Sequence, residues 1–325
     1  MKMFITPVSI PKPDARISYS DTLFFVGSCF SEYIGNKFKE LRFRVCFNPF
    51  GTIYNPFSIF KTLERIPDAK DFTANDLRFS DKDELWFSYL HNTLFSHPDS
   101  NTCLSKINNS LHLAREALKK AKFIIITPGT SWTYRLNETG EIVANCHKQP
   151  ASFFKREFLS SEESFELFRK SVELVRAVNP EINFIFTISP IRHWKDGATG
   201  NQRSKAALIL AVAKLQEWDN KIYYFPSYEI FMDELRDYRF YGPDMLHPSE
   251  TGQKYIFEKF VETFVDEKDK KLMDSVEKIL LSVKHKPFYP NTGSYQKFKE
   301  HVISRIHDII DKNPHIDLDE FLSDL

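Results

Sequence analysis

Five short apolar runs, each followed by a stretch with helical spacing, constrain the fold of this 325-residue chain more than any other feature. The runs are residues 22–26, 44–47, 123–127, 183–188 and 222–225. They are rich in Phe, Ile and Val and have the length of buried strands. Between the first two, Tyr33, Ile34, Phe38 and Leu41 fall on one face of a helix over residues 31–41. Pro56 opens a helix that carries Phe57, Phe60 and Leu63. Further helices are predicted over residues 105–121, 161–178 and 201–219, the last with Ala206, Leu208, Ile209, Val212 and Leu215 as its apolar side. Two more start near Ser227 and Ser249. Strands alternating with helices predict an α/β fold: three layers, flavodoxin-like, around a five-stranded parallel sheet covered on both faces. In such sheets the ligand crevice lies beyond the carboxyl ends of the strands. Here those ends carry Gly27-Ser28, residues 48–51, Gly129 to Ser131, and Ser189-Pro190.

Other segments interrupt this rhythm. Residues 1–21 are Pro-rich and read as an extended lead-in. Residues 69–99 read as an insertion with a hairpin or strand at Leu85 to Leu90. Residues 138–141 form a hairpin turn between Trp132-Thr133-Tyr134 and Ile142-Val143. Beyond residue 265 the pattern turns polar, so residues 1–265 are expected to form the α/β unit and 266–325 a helical extension that begins with a solvated charge run.

Composition excludes several classes. Lys and Arg total 44, as do Asp and Glu, so no basic excess marks a nucleic-acid surface. No apolar run is long enough to span a bilayer. Residues 1–16 lack the apolar core of an export signal, so a cytoplasmic location is expected, with the four cysteines as free thiols. GxGxxG and GxxxxGK[ST] are absent, and no His, Asp or Glu stands at metal-ligand spacing, so neither a cofactor nor a metal is expected.

Two separated segments carry the chemistry. Ser28 follows a strand and precedes a helix, beside free N–H groups and the positive end of a helix dipole. That placement suits a nucleophile, although read alone it more often marks a helix cap or turn residue. Asp244 and His247, three residues apart, allow a carboxylate to hold Nδ1 while Nε2 acts as base. Read alone, they are a surface loop pair. Arg192 and His193 follow the fourth strand at the edge of the crevice, where they suit an anionic or sugar-like substrate or simply a surface loop. His147 is a further contact candidate in the loop after the hairpin. Its neighbour Cys146 is not paired with it as a nucleophile, since such dyads are spatial rather than sequential. Cys29 is read as a small core residue.

The layout of Ser28 at the first strand's end and Asp-x-x-His before a late helix resembles the SGNH/GDSL hydrolase superfamily. More narrowly, Gly27-Ser28-Cys29-Phe30-Ser31 resembles the GSCFA family, with Ser31 in place of Ala. The segments NPFGTIYNP (48–56), ANCHKQP (144–150), TISPIRH (187–193) and DMLHPS (244–249) are similar to that family too. The resemblance implies Ser28 as nucleophile, His247 as base and Asp244 as its orienting carboxylate. It further implies an oxyanion hole built from the N–H groups of Ser28 and Gly51. A third donor, an Asn in the superfamily, is missing after the third strand. Ser131 stands there, and Asn145 and His147 are the alternatives.

The reading implied is a serine esterase removing small acetyl-like groups from a saccharide or cell-wall-related substrate. A non-catalytic glycan- or protein-binding module on the same fold is the competing reading. Acyl transfer to a sugar hydroxyl is another, since the same acyl-enzyme precedes both outcomes. The sequence does not set the oligomeric state.

Overall fold

The computed structural model describes residues 5–68 and 70–325. The first four residues of the lead-in, and residue 69 where the insertion begins, lie outside the described residues. In chain order the strands are β1 (Thr22–Gly27), β2 (Arg44–Phe47), β3 (Arg78–Ser80), β4 (Leu85–Phe87), β5 (Ala121–Thr127), β6 (Trp132–Leu136), β7 (Ile142–Val143), β8 (Phe154–Phe158), β9 (Asn183–Thr187) and β10 (Ile222–Phe225). The helices are α1 (Cys29–Glu40), α2 (Pro56–Arg65), α3 (Ser100–Lys120), α4 (Ser161–Val178), α5 (Gly197–Trp218), α6 (Ser227–Glu229, continued by a π turn at Ile230–Glu234), α7 (Glu250–Phe264), α8 (Glu267–Val283), α9 (Gly293–Lys312) and α10 (Asp319–Ser323).

The main sheet has five strands in the order β10-β9-β5-β1-β2, and every pairing is parallel. This is the expected flavodoxin-like order. Side chains alternate across it with a period of two. Phe24, Val26, Ile124, Ile126, Phe184 and Phe186 face one core with α2 to α5. Leu23, Phe25, Phe123, Ile125 and Ile185 face a second core with α1 and α7. Chain order reverses between β1 and β5, so the crevice opens beside the end of β1.

Local chemistry explains most boundaries. Asn55 caps α2 at the Ser58 amide, and Pro56 fills the first helical position. Ser160 and Glu163 form a reciprocal capping box on α4. Phe57 and Phe60 of α2 are only half-buried, and its core face is Ile59, Thr62 and Leu63. On α5 the buried face is rotated from the expected one: Ala206 is exposed, while Ser204, Lys205, Leu208, Ala211, Val212 and Leu215 point inward.

The insertion folds as the β3–β4 hairpin. The hairpin after β5 gains a third strand, giving the sheet order β7-β6-β8. The C-terminal helices do not stand apart. Met273, Val276, Ile279, Val302, Ile306 and Phe321 pack into the same core as Phe25 and Phe38. The charge run forms the first turns of α8 and is largely exposed, apart from buried Asp269. All four cysteines are free thiols. No described helix is long and apolar enough to cross a membrane.

Candidate functional site

The loop after β2 fixes the end of β1. The Asn48 amide donates to Phe25 O (2.9 Å), and its side-chain Oδ1 accepts from Gly27 N (2.9 Å). Ile53 N donates to Gly27 O (2.9 Å), and Tyr54 O accepts from Gly129 N (2.7 Å) and Thr130 N (3.1 Å). The ends of β1 and β5 are thus laced together by main-chain bonds, with Ser28 between them.

Ser28 is the N-cap residue of α1, yet its hydroxyl does not cap. It is 1% exposed, and its Oγ has no hydrogen-bond partner. A buried hydroxyl left unpaired costs about 1–3 kcal/mol, which a structural cap would have avoided. Ser28 lines a cleft of about 400 Å³ together with Cys29, Tyr54, Trp132, Arg156, His193 and His247.

His247 sits in a tight loop closed by Gly242 N to His247 O (2.7 Å) and Ser249 N to Phe240 O (2.7 Å). Asp244 Oδ1 accepts from the amides of Leu246 and His247, both at 3.0 Å. Its Oδ2 lies 2.5 Å from His247 Nδ1. The two backbone amides, and then the imidazole, hold the Asp244 carboxyl down to about 2. An ionised carboxylate on Nδ1 sets that nitrogen as the donor and leaves Nε2 as the acceptor.

A second histidine lines the same cleft. His193 Nε2 lies 2.9 Å from where a side chain on Gly129 would begin, and Ser28 Cβ lies 3.6 Å from that point. A side chain at 129 would press on the His193 ring, while Ser28 would stay in ordinary contact with it. Burial pulls His193 down to about 3, with Lys205, Arg156 and His247 adding to the shift. So weak a base holds almost no proton at neutral pH, and among the described residues no carboxylate orients its ring as Asp244 orients His247.

Ser28 and His247 therefore share one cleft, but no hydrogen bond joins Ser28 Oγ to the imidazole. The expected oxyanion donors are bonded to other protein groups. Ser28 N already donates to Thr127 O (2.9 Å), and Gly51 N to Asn48 O (2.7 Å). Gly51 is required for its turn (φ +79°) and for the approach of Asn92, whose Cβ lies 2.2 Å from a would-be side chain; it lines a different hollow. Ser131 is fully buried, with N bonded to Ser204 Oγ (2.7 Å) and Oγ to Ser204 O (3.1 Å).

Asn145 and His147 are likewise bonded to other protein groups. Asn145 Oδ1 takes the His147 amide (2.8 Å), while the His147 ring stacks on Phe87 at 4.3 Å and meets Ser88 O (2.9 Å). Both residues serve the packing of the β3–β4 hairpin rather than the cleft. Arg192 and His193 do line the cleft.

Donors that remain for a developing oxyanion are the first-turn amides of α1, which the Ser28 hydroxyl does not cap. The amides of Cys29 and Phe30 already bear on the Cys29 thiol, although burial pushes that thiol up.

Three groups of the site were not foreseen. Trp132 and Tyr134 project from β6, and Arg156 faces Tyr134 across the β6–β8 pairing and ion-pairs with Asp196. Lys195 Nζ donates to the Tyr134 hydroxyl (2.6 Å). Beneath the crevice, Lys205 Nζ donates to Gly129 O (2.8 Å) and Ser189 O (2.6 Å), joining the loops after β5 and β9. Its spacing with Leu208, Val212 and Leu215 places a lysine on an apolar face, which is a signal readable in sequence.

Burial pulls Lys205 down to about 7. Its unfolded value is about 10.4. Between these values the folded chain binds fewer protons than the unfolded one, so stability rises with pH. Relative to Lys205→Met, the native chain is expected to gain about 2 kcal/mol from pH 7 to pH 9, from linkage alone. Urea midpoints at the two pH values measure it, and a difference that does not change with pH would mean the ammonium is solvated.

The fold and crevice define a flavodoxin-like α/β protein whose site lies at the switch point of the sheet. Among known families, residues 22–260 match the GSCFA family and residues 276–325 match the C-terminal domain of GSCFA domain proteins. The chain belongs to the GSCFA family. Comparison with curated proteins finds no match.

Among solved structures, similarity extends to an acetyl xylan esterase from Butyrivibrio proteoclasticus, at 11% identity and a TM-score of 0.39 over 76% of this chain. This chain spans 64% of that esterase's length. A putative acylhydrolase from Bacteroides fragilis is 13% identical, with a TM-score of 0.38 over 83% of this chain and 92% of that one. A carbohydrate esterase family 2 enzyme with its carbohydrate-binding domain, from Corynascus thermopiles (Myceliophthora fergusii), is 12% identical, with a TM-score of 0.36 over 84% of this chain and 69% of that one.

Proposed function

We propose that this protein is a serine acyl hydrolase of the SGNH type, an esterase that removes small acetyl-like groups from a saccharide or cell-wall-related substrate. One observation carries the reading. A buried hydroxyl with no partner, Ser28 Oγ, lines the same cleft as His247, whose Nδ1 lies 2.5 Å from the Asp244 carboxylate.

In this reading Ser28 Oγ attacks the ester carbonyl and passes its proton to His247 Nε2. Asp244 orients the ring and stabilises the imidazolium. The first turn of α1 receives the charge on the carbonyl oxygen. The intermediate collapses, and the alcohol leaves with the proton from His247. Water, activated by the same nitrogen, then attacks the acyl-serine and restores Ser28. Catalytic hydrogen bonds often tighten only in the substrate complex, and the Ser28–His247 bond belongs to that stage. A sugar hydroxyl in place of water would make the same site an acyltransferase.

A binding module without chemistry is the second reading, favoured by the bond that occupies the Ser28 amide. Labelling separates the two. A fluorophosphonate is expected to add one adduct at Ser28, found by peptide mass, and none to Ser28→Ala. A folded native sample that stays unlabelled and turns over no short-chain acyl ester would leave the binding reading.

A further inference from the structure

A second hollow of about 450 Å³ adjoins the Ser28 cleft, and Arg192 and Trp194 line both. Asp244 borders this hollow while His247 borders the cleft, so the Asp–His pair stands at their boundary. Trp194 and Tyr238 present exposed rings there (50% and 75%).

Arg192 is the unusual group. Arg42, Arg65, Arg156 and Arg176 each face a carboxylate. Arg192 is half-buried, with Nε buried, and among the described residues its guanidinium has no hydrogen bond or carboxylate partner. The guanidinium carbon lies 4.8 Å from the centre of the Trp194 ring. A guanidinium stacked on a ring keeps its in-plane donors free, in the fork geometry that fits an oxyanion. Leaving Nε desolvated and unpaired is costly.

The surrounding charge agrees. Arg156, Arg192 and Lys195 line the cleft, and the one carboxylate lining it, Asp196, is taken by Arg156. The second hollow adds Arg236 and two carboxylates, Asp237, which pairs with Arg239, and Asp244, which holds His247.

We propose that the substrate is an acylated acidic saccharide, whose oxyanion is bound by Arg192 at the junction of the two hollows while its ester reaches Ser28. This rests on the esterase reading for the ester, but not for the anion. The rings of Trp194 and Tyr238 give the sugar apolar faces to lie against. A carboxylate and a phosphate share the required chemistry.

Binding to the Ser28→Ala protein tests the anion without any turnover. Glucuronate is expected to bind saturably in calorimetry, glucose not at the same concentration. Arg192→Gln in the same background is expected to weaken glucuronate by about ten- to a hundred-fold. Equal binding of the two sugars, no binding of either anion, or binding indifferent to Arg192→Gln would overturn the proposal. Glucose 6-phosphate is the companion probe, and the tighter of the two anions identifies the group.

Turnover separates this inference from the esterase reading. Acetylated glucuronate should be cleaved faster than acetylated glucose at limiting substrate, with a ratio that falls in Arg192→Gln. Ser28-dependent cleavage of both at equal rates overturns the anion site and leaves the esterase. Arg192-dependent binding with no cleavage of any acyl ester overturns the esterase and leaves the anion site.

Discussion

Ser28→Ala is expected to abolish ester turnover, lowering kcat by about 10³-fold or more, while leaving the protein as stable as before or slightly more so. The two halves of this result come from different atoms. Activity is lost with the attacking oxygen, while the first turn of α1 and the bound sugar remain. Stability is retained because Ser28 Oγ has no hydrogen bond to lose. Had this serine capped α1, its replacement would cost about 1 kcal/mol. A thermal melt beside a progress curve with a short-chain acyl ester reads both. Lost stability with retained turnover would return Ser28 to a capping role.

Asp244→Asn is expected to lower kcat/KM by about 10²- to 10⁴-fold, within the range for the orienting carboxylate of such triads. The loop explains why a nearly isosteric change should matter. The amides of Leu246 and His247 both donate to one oxygen of residue 244. An asparagine must offer its own oxygen to them, which turns its NH₂ group toward His247 Nδ1. The ring then accepts at Nδ1 and carries its proton on Nε2, the nitrogen that must take the serine proton. The native carboxylate, held down to about 2, stays ionised throughout the working range, so the acid limb of a pH–rate profile is not its titration. Turnover unchanged in Asp244→Asn from pH 6 to 9 would make Asp244 a turn residue only.

The main sheet was legible because its central strands β1, β5 and β9 are buried on both faces and read as continuous apolar runs; the edge strands β2 and β10 are only partly buried, and residues 44–47 and 222–225 match them through their aromatic and β-branched side chains. Ser28 was legible because one strand–turn–helix junction places it. The oxyanion donors were not. Whether an N–H is free depends on Thr127, Asn48 and Ser204, which reach the site from other elements. Strand β8 escaped notice because Lys155, Arg156 and Glu157 hide its alternation behind charge. Lys205 was readable as a cation at helical spacing among apolar residues. The apolar positions of α8 at 273, 276 and 279 likewise announce a buried face.

The lacing of β1 and β5 by the loop after β2 has an evolutionary consequence. Main-chain groups and Asn48 hold the ground on which Ser28 stands. The walls come from elsewhere, from the β6–β8 sheet and from residues 191–196. Wall residues can therefore be exchanged without displacing the serine. In the esterase reading, such a scaffold lets the recognised molecule change while Ser28 keeps its place.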